Sequence, residues 1–298
     1  MNPIPFQLQT HLYPEVVPFY DEDTNTFSYV VYLAGDKRCA VIDSVLDLDY
    51  PSGTMSTAGV QRIIDYVQKH GLSLEWIIET HVHADHLSAA PVLQEQLGGK
   101  LVIGKNILVV QDTFGKIFNE GSEFKRDGSQ FDVLVEDGDE LPMGDLEIKA
   151  LHTPGHTPAC MTYIIGDAVF VGDTLFMPDG GTARVDFPGG DARTLYRSIK
   201  RVLSLPESFR LFMCHDYSPN GRALEYQTTV AAEKKSNIHV NDKISEDEFV
   251  AMREARDATL GMPRLILPSL QVNMRAGHMP PADSDGRVFL KLPVNAFV

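Results

Sequence analysis

The spacing of apolar and polar residues in the first part of the chain predicts a hairpin, a helix and a buried strand. Apolar runs over 27–33 and 38–43 flank a Gly-Asp turn, which is typical of two antiparallel strands. After a predicted loop over 47–57, residues 59–70 carry apolar side chains at helical spacing, and a glycine follows as the C-terminal cap. The apolar run over 74–79 predicts a buried strand that leads directly into a segment rich in histidine.

The rest of the chain continues to alternate between the two periodicities. We predict helices over 91–97, 107–118, 192–203, 223–235 and 244–259, and strands over 101–103, 131–135, 146–151, 161–165, 168–171 and 209–213. The last of these helices begins at the capping pattern Ser-Glu-Asp-Glu. This order of elements favours a layered α/β architecture. The pattern after residue 262 assigns no element.

Composition and charge exclude several classes of protein. The 298 residues are 43% hydrophobic and 22% charged, without an apolar run of the roughly 18 to 20 residues that span a bilayer. We expect no membrane insertion, and we expect a cytoplasmic location because the N-terminus resembles neither a signal peptide nor a transit peptide. The formal net charge of −15 disfavours nucleic acid as a partner. The three cysteines lack C-x-x-C spacing and predict reduced thiols.

Potential metal ligands cluster in four short segments, each of which follows or ends a predicted strand. The first is the run THVHADH at 80–86, and the others lie at 152–156, 172–176 and 213–217. Six of the ten histidines fall in these segments, so their grouping is not a random scatter. Imidazole and carboxylate groups on rigid turns bind zinc, iron and manganese, and α/β sheets place their chemistry at strand ends. The sequence therefore predicts a metal-dependent enzyme.

The order of these motifs resembles the metallo-β-lactamase superfamily over roughly 27–217. The resemblance implies a four-layer αββα sandwich with the metal at one edge. We expect a catalytic domain over 1–262 and a C-terminal extension over 263–298 that packs on the same domain. On the Pro-Gly bend of the second segment, we expect His156 to be the ligand and His152 to support the turn. The superfamily's ligand positions fall on His81, His83 and His156 for a first metal, on Asp85, His86 and His215 for a second, and on Asp173 as the bridge.

Two glutathione-linked branches of the superfamily resemble the chain most. The persulfide dioxygenases, the branch of the ethylmalonic encephalopathy protein, use one Fe(II) and O₂ to oxidise glutathione persulfide to sulfite and glutathione. Glyoxalase II, a hydroxyacylglutathione hydrolase, uses two metals to cleave a thioester. Similarity to the dioxygenases is found in the strand over 42–47, the run HADHLSA at 83–89, the stretch GTARVDF at 181–187 and the tail over 263–281. We also expect no helical C-terminal domain of the kind that is usual in the hydrolases.

The dioxygenase resemblance implies one iron held by His81, His156 and Asp173, with three positions left for water, O₂ and the substrate sulfur. Zinc is the alternative metal, since such ligands accept several ions. The remaining ligand-type residues, which either orient waters and the direct ligands or hold a second ion, are His83, Asp85, His86 and His215.

Residues outside the metal ligands give the expected substrate contacts. Arg184 is the candidate that binds a glutathione carboxylate, Tyr217 is expected to hydrogen-bond the substrate near the metal, and Asp85 and Tyr217 are the candidate catalytic residues. The expected partners are glutathione persulfide or glutathione, O₂ and, because relatives in this branch are commonly dimers, a second copy of the chain. A two-metal thioester hydrolase is the alternative function, and a non-enzymatic metal-bearing thiol or persulfide sensor is a third hypothesis.

Overall fold

Two six-stranded sheets and one small sheet form the framework of the computed structural model, which describes residues 4–296. The first sheet contains, in spatial order, β1 (Glu15–Asp21), β2 (Thr26–Tyr32), β3 (Arg38–Ile42), β6 (Ser73–Ile78), β8 (Lys100–Gly104) and β9 (Val133–Val135). The second contains β10 (Glu140–Met143), β11 (Leu146–His152), β12 (Met161–Ile165), β13 (Ala168–Phe170), β14 (Arg210–Phe212) and β15 (Gln227–Thr229). The small sheet contains β5 (Thr54–Ser56), β4 (Val45–Asp49) and β7 (Leu87–Ser88).

The helices lie on the two outer faces of the large sheets. Those that pack on the first sheet are α1 (Ala58–Lys69), α2 (Ala90–Leu97), α3 (Ile107–Ile117) and α7 (Ile266–Asn273). Those that pack on the second sheet are α4 (Ala192–Val202), α5 (Val230–Ser236) and α6 (Glu246–Asp257).

Alternation along the strands divides the apolar residues into three cores. On β2, Tyr29 points between the two sheets whereas Val30 points toward α1, because successive strand residues face opposite sides of a sheet. On β12, Tyr163 likewise faces the space between the sheets, and Ile164 packs with the helices of the second sheet. Both sheets are thus buried on two faces, which confirms the predicted four-layer αββα sandwich.

Most predicted elements are present with small shifts at their ends, and two predictions are wrong. The helix predicted over 223–235 is helical only from Val230, since 227–229 pairs with β14 as an edge strand and the Thr229 side chain caps the shorter helix. The predicted loop over 47–57 contains β5 and most of β4, which pair with each other. In both places tertiary pairing determined a structure that local composition did not indicate.

Helix α7 lies in the tail, where the sequence pattern assigned no element. Its residues are buried nearly all round, so no amphipathic period marks it. Its proline, Pro268, stands in the first turn, where a missing N–H costs little. The capping box that begins α6, between Ser245 and Glu248, is by contrast present as predicted. Across residues 4–296, every helix is too short or too polar to cross a bilayer.

A buried ion pair attaches the end of α7 to the loop after α3. The Arg275 guanidinium lies 2.6 Å from Glu120 Oε2, and both side chains are 7% exposed. The same guanidinium lies 4.2 Å from the centre of the Phe124 ring. Lys291, farther along the tail, is 3.3 Å from the second oxygen of Glu120. The tail is therefore held on the first sheet's helical layer by a carboxylate with little access to water.

We predict that Arg275→Met lowers the free energy of unfolding by about 3 kcal/mol, because it leaves a buried carboxylate with only a partly exposed lysine as partner. Urea unfolding followed by circular dichroism measures this change. The matched control is Arg287→Met, whose guanidinium is 75% exposed beside Asp285 and whose loss is expected to cost less than about 0.5 kcal/mol. Equal effects of the two substitutions would contradict the assigned role of Arg275.

Candidate metal centre

Four strand ends bring the histidine-rich segments to one edge of the sandwich. The run from Glu79 to His86 follows β6, His156 follows β11, Asp173 follows β13, and His215 follows β14. Strands β13 and β14 are parallel neighbours, so their C-terminal ends meet. Gly172, at the end of β13, has a φ of 51°, and an added Cβ would lie 2.7 Å from Thr80 Oγ1. Only glycine allows the two segments to approach so closely.

His81, His156 and Asp173 form one group of potential metal ligands. Their ligand atoms all lie within 4.8 Å of one another. The Asp173 Oδ2 atom is 4.0 Å from His81 Nε2 and 3.7 Å from His156 Nε2. All three residues are buried, at 1%, 4% and 8% exposure for His81, His156 and Asp173. Two imidazoles and one carboxylate therefore face one small volume.

Hydrogen bonds on the far side of each ring turn Nε2 toward this volume. His81 Nδ1 lies 3.0 Å from Thr80 Oγ1, and that hydroxyl donates its own proton to Asp43 Oδ2 at 2.9 Å. The Thr80 oxygen therefore accepts a proton from His81 Nδ1. His156 Nδ1 likewise donates to the backbone carbonyl of Arg184 at 2.7 Å. A proton on Nδ1 leaves the Nε2 lone pair of both histidines available to a metal.

The charge states of His81, His86 and Asp173 are those that metal ligands need. Burial lowers the pKa of His81 well below its ordinary value, and burial also lowers the pKa of His86 to about 3. Burial alone raises the pKa of Asp173, but the nearby histidines, His215 first, outweigh it and hold that pKa well below its usual range. Neutral imidazoles and an ionised carboxylate are the forms that bind a metal ion.

Several buried polar atoms of the cluster lack a hydrogen bond among the described residues. They are Asp85 Oδ2, Asp173 Oδ1 and the Nε2 atoms of His81, His86 and His215. An unsatisfied buried polar group costs about 1–3 kcal/mol. These are the atoms that a bound cation would satisfy, and the donor set fits a transition metal.

A second group of ligands adjoins the first. Ligand atoms of His83, Asp85 and His86 also lie within 4.8 Å of one another. His215 Nε2 lies between the groups, 3.2 Å from Asp85 Oδ2 and 3.3 Å from Asp173 Oδ1. The residues that the sequence singled out as ligands are thus brought together, and their arrangement accommodates one metal or two.

Two buried carboxylates behind the site were not identified from the sequence. His83 Nε2 lies 3.0 Å from Asp43 Oδ1 and 3.4 Å from Glu79 Oε2. Burial opposes the charged form of His83, but Asp43 outweighs it and raises the pKa of His83 well above its ordinary value. Asp43 also accepts from the Thr80 backbone N–H at 2.8 Å, so one carboxylate fixes both ends of the Thr80–His83 turn.

Asn273, at the end of α7, is a third residue that the sequence reasoning missed. Its side-chain oxygen accepts from the Ser88 N–H at 2.8 Å. Its amide nitrogen donates to the backbone carbonyls of His83 and His86, at 2.9 and 2.7 Å. One buried carboxamide therefore fixes both halves of the metal-binding loop.

We predict that Asn273→Leu lowers metal affinity roughly 10- to 100-fold, the usual effect of removing a group that orients metal ligands. The reason is that the His83 and His86 carbonyls lose their shared donor. Metal retention against a chelator, measured by mass spectrometry of the eluted protein, gives the change.

Gln271→Leu is the matched control for Asn273, since it removes a buried amide from the same helix. Gln271 hydrogen-bonds the backbone of Leu267 and Lys291, not the metal-binding loop. Its substitution should lower stability while preserving metal affinity. If both variants lose metal equally, Asn273 acts only through general stability.

Residues after β15 and on α6 hold the 181–187 loop, which supplies the carbonyl acceptor of His156. Asn237 Nδ2 donates to the Gly181 carbonyl at 3.0 Å, and the Thr182 N–H donates to His239 Nδ1 at 3.0 Å. Farther along, the contacts come from an ion pair on α6. Arg253 donates to the Thr182 carbonyl at 2.9 Å, and Asp257 accepts from the Val185 N–H at 2.8 Å. The loop that orients His156 is therefore fixed from its outer side.

Glu233 lies beneath the same loop and is fully buried. It accepts from Asn237 Nδ2 at 2.6 Å, while its other oxygen has no partner among residues 4–296. Burial raises the pKa of Glu233 from 4.5 to about 8. Between these two values the folded chain binds more protons than the unfolded chain, so stability falls as pH rises through that window.

We predict that Glu233→Gln removes this loss and makes the protein more stable than the parent at pH 9. The amide retains the shape and the neutral state of the protonated acid. Urea unfolding at a series of pH values from 5 to 9 tests the change in slope. Glu207→Gln is the control, because that side chain is 68% exposed; a similar gain in that variant would refute the burial argument.

A cavity of about 410 Å³ opens beside the first ligand group. Arg184 lines it, but its guanidinium is largely engaged by Asp186, at 2.6 Å twice, and by the Gly261 carbonyl. Tyr217, which is 57% exposed, lies at the rim with its ring stacked on His215 at 5.9 Å. His152 is not in the cluster; its Nε2 contacts the Pro158 carbonyl at 2.9 Å, within the turn that carries His156.

Arg256 and Arg264 also line the cavity, and both are exposed. Within residues 4–296 they have no hydrogen bond or ion pair from their guanidinium groups. They were not identified from the sequence, although the concentration of arginines over 253–264 in an acidic chain was the available signal. The cavity thus combines a metal centre with cationic groups free to bind an anion.

The sequence model of the Metallo-beta-lactamase superfamily matches residues 22–215, and the chain belongs to this superfamily. A protein of Burkholderia pseudomallei named "Probable metallo-hydrolase" is 57% identical, covering 93% of this chain and 98% of its own. Glyoxylase B2 of Dictyostelium discoideum is 46% identical, covering 93% of this chain and 96% of its own.

The chain is also similar to a persulfide dioxygenase in sequence and to a crystal structure of a protein of the same name. The mitochondrial persulfide dioxygenase ETHE1 of Bos taurus is 28% identical, covering 88% of each chain. The crystal structure of ETHE1 from Myxococcus xanthus superposes with a TM-score of 0.70 at 30% identity, covering 89% of this chain and 100% of that one. The fold and the superfamily are thereby established. The names of the relatives include both a glyoxylase and a persulfide dioxygenase.

Proposed function

We propose that the protein is an iron-dependent persulfide dioxygenase that oxidises glutathione persulfide with O₂ to sulfite and glutathione. The observation that carries this proposal is the group of His81, His156 and Asp173. Two histidines and one carboxylate on one face of a metal leave open positions, the arrangement used by non-haem Fe(II) oxygenases. Similarity to the persulfide dioxygenase ETHE1 in sequence and in fold supports the same assignment.

The cavity supports an anionic thiol compound as substrate. Glutathione persulfide carries two carboxylates, and the exposed guanidinium groups of Arg256 and Arg264 are suited to bind them. Arg184 remains a candidate for the same role, but its fork already pairs with Asp186. The ligand group lies at the inner wall of this cavity, so a substrate held by its carboxylates presents its sulfur to the metal side.

The proposed reaction consumes one persulfide, one O₂ and one water, and it yields glutathione, sulfite and two protons. Fe(II), when bound, supplies the redox chemistry by which O₂ reacts with sulfur. His81 and His156 present Nε2 to the metal position, while Asp173 supplies negative charge. Asp85, whose Oδ2 lies 3.2 Å from His215 Nε2, accepts a proton released as water enters. Tyr217 covers the rim and donates its hydroxyl to the substrate.

A two-metal thioester hydrolase of the hydroxyacylglutathione type is the second candidate. The group of His83, Asp85 and His86 beside the first group favours it, because two adjacent ions generate a nucleophilic hydroxide. The similarity to a relative named Glyoxylase B2 supports it as well. The two candidates differ in metal count and in their need for oxygen.

We predict one iron per chain in protein isolated without added metal, and oxygen uptake with glutathione persulfide after anaerobic loading with Fe(II). Mass spectrometry gives the metal count, and an oxygen electrode gives the rate. His81→Ala should reduce uptake to background because it removes a ligand. The control His70→Ala should retain the parent rate, since that ring lies at the exposed end of α1 against Tyr66.

The same protein preparations are also assayed with a thioester substrate, which tests the alternative hydrolase function. Two zinc ions per chain together with cleavage of S-lactoylglutathione, and no oxygen uptake above the His81→Ala background, would replace the dioxygenase with the hydrolase. Tight binding of metal and glutathione with neither activity would favour the sensor.

A further inference from the structure

A second, smaller cavity of about 20 Å³ adjoins the substrate cavity, and His156 lines both. Eight of its ten lining residues are apolar, and Val82, Val110 and Leu270 among them are buried. A water in an apolar space finds too few hydrogen-bond partners, and apolar cavities in proteins stay dry and take up xenon or other apolar molecules. The cavity is therefore suited to a small uncharged gas.

The position of this cavity connects it to the metal centre. Ala84, His156 and Phe187 line both cavities and form the boundary between them. The Phe187 ring stands edge-on to His156, with centres 5.5 Å apart. The small cavity is also lined by Pro158 and Pro188, the latter exposed at the surface. Its lining thus includes both an exposed proline and a candidate metal ligand, and no arginine belongs to it.

The two proposed reactants, a charged persulfide and apolar O₂, must both reach the same metal centre. A charged thiol of glutathione size fills much of the substrate cavity when its carboxylates bind Arg256 and Arg264. Oxygen that arrives afterwards then finds the main opening blocked. Seven of the ten residues that line the small cavity do not line the larger one, so a substrate bound in the larger cavity leaves the small one open.

We propose that the cavity between α3, α7 and the 156–158 and 187–188 turns binds molecular oxygen and delivers it to the metal centre past His156 and Ala84. This inference rests on the proposed dioxygenase function, because a thioester hydrolase has no use for oxygen. It assigns Val110 and Leu270, which do not line the substrate cavity, to the path of the second substrate.

Xenon pressurisation of crystals tests the binding site, and oxygen kinetics test its role. A xenon peak is expected in this cavity in the parent, and Val110→Phe should remove it by filling the space. In the metal-loaded enzyme, Val110→Phe should raise the KM for O₂ at least about threefold and leave the KM for glutathione persulfide within about twofold, since only oxygen uses the path.

Val109→Phe is the matched control, because Val109 is the neighbouring residue on α3 and is 48% exposed. It should keep both the xenon peak and the KM for O₂. Val110→Ala enlarges the cavity without overpacking, so it should raise xenon occupancy without raising the KM for O₂ even if the phenylalanine variant folds poorly.

The outcomes separate this inference from the proposed function. Absence of xenon from the parent cavity, or an unchanged KM for O₂ in a folded Val110→Phe enzyme that still consumes oxygen, overturns the oxygen path alone. No oxygen uptake by the parent enzyme overturns the dioxygenase and the oxygen role of the cavity together, whatever the xenon result.

Discussion

The burial of unpaired imidazole nitrogens and carboxylate oxygens around one small volume is the constraint on which the rest of the site depends. Such atoms are costly in a dry environment unless a cation binds them. They also repel or collapse onto one another unless their rings are held from behind. Asp43 through Thr80, and the Arg184 carbonyl, hold His81 and His156 in this way. These hydrogen bonds behind the histidine rings, called here the polar backing, fix the orientation of the ligands at the edge of the sandwich.

That backing reaches far from the metal-binding loop along the chain. The Asn273 carboxamide contacts carbonyls 187 and 190 residues earlier, and the loop behind His156 is fixed by residues that follow it by more than 50 positions. The tail and α6 are therefore part of the same construction as the histidine run, although they contribute no ligand. The metal centre is therefore sensitive to changes in segments that contribute no metal ligand.

The ligand-bearing segments could be predicted because their signals are local, whereas the sandwich was implied by the resemblance of their order to the metallo-β-lactamase superfamily. The strand pattern ends where the histidines begin, and the potential ligands at 80–86 are contiguous in the sequence, so no contact with a distant segment is needed to recognise them. Asp43, Glu79 and Asn273 escaped prediction because their roles exist only through contacts across the fold. Helix α7 escaped because burial on all sides removes the amphipathic period. Arg184 was noticed by its motif, but its pairing with Asp186 became visible only in three dimensions.

The charge that enters with a metal ion must be balanced at this buried edge. Asp85 and Asp173 are the two carboxylates in the two ligand groups, and together they balance one divalent ion. A second divalent ion adds two further positive charges, so a hydroxide or another anion must accompany it. Occupation of the second ligand group is therefore coupled to the binding of an additional anion.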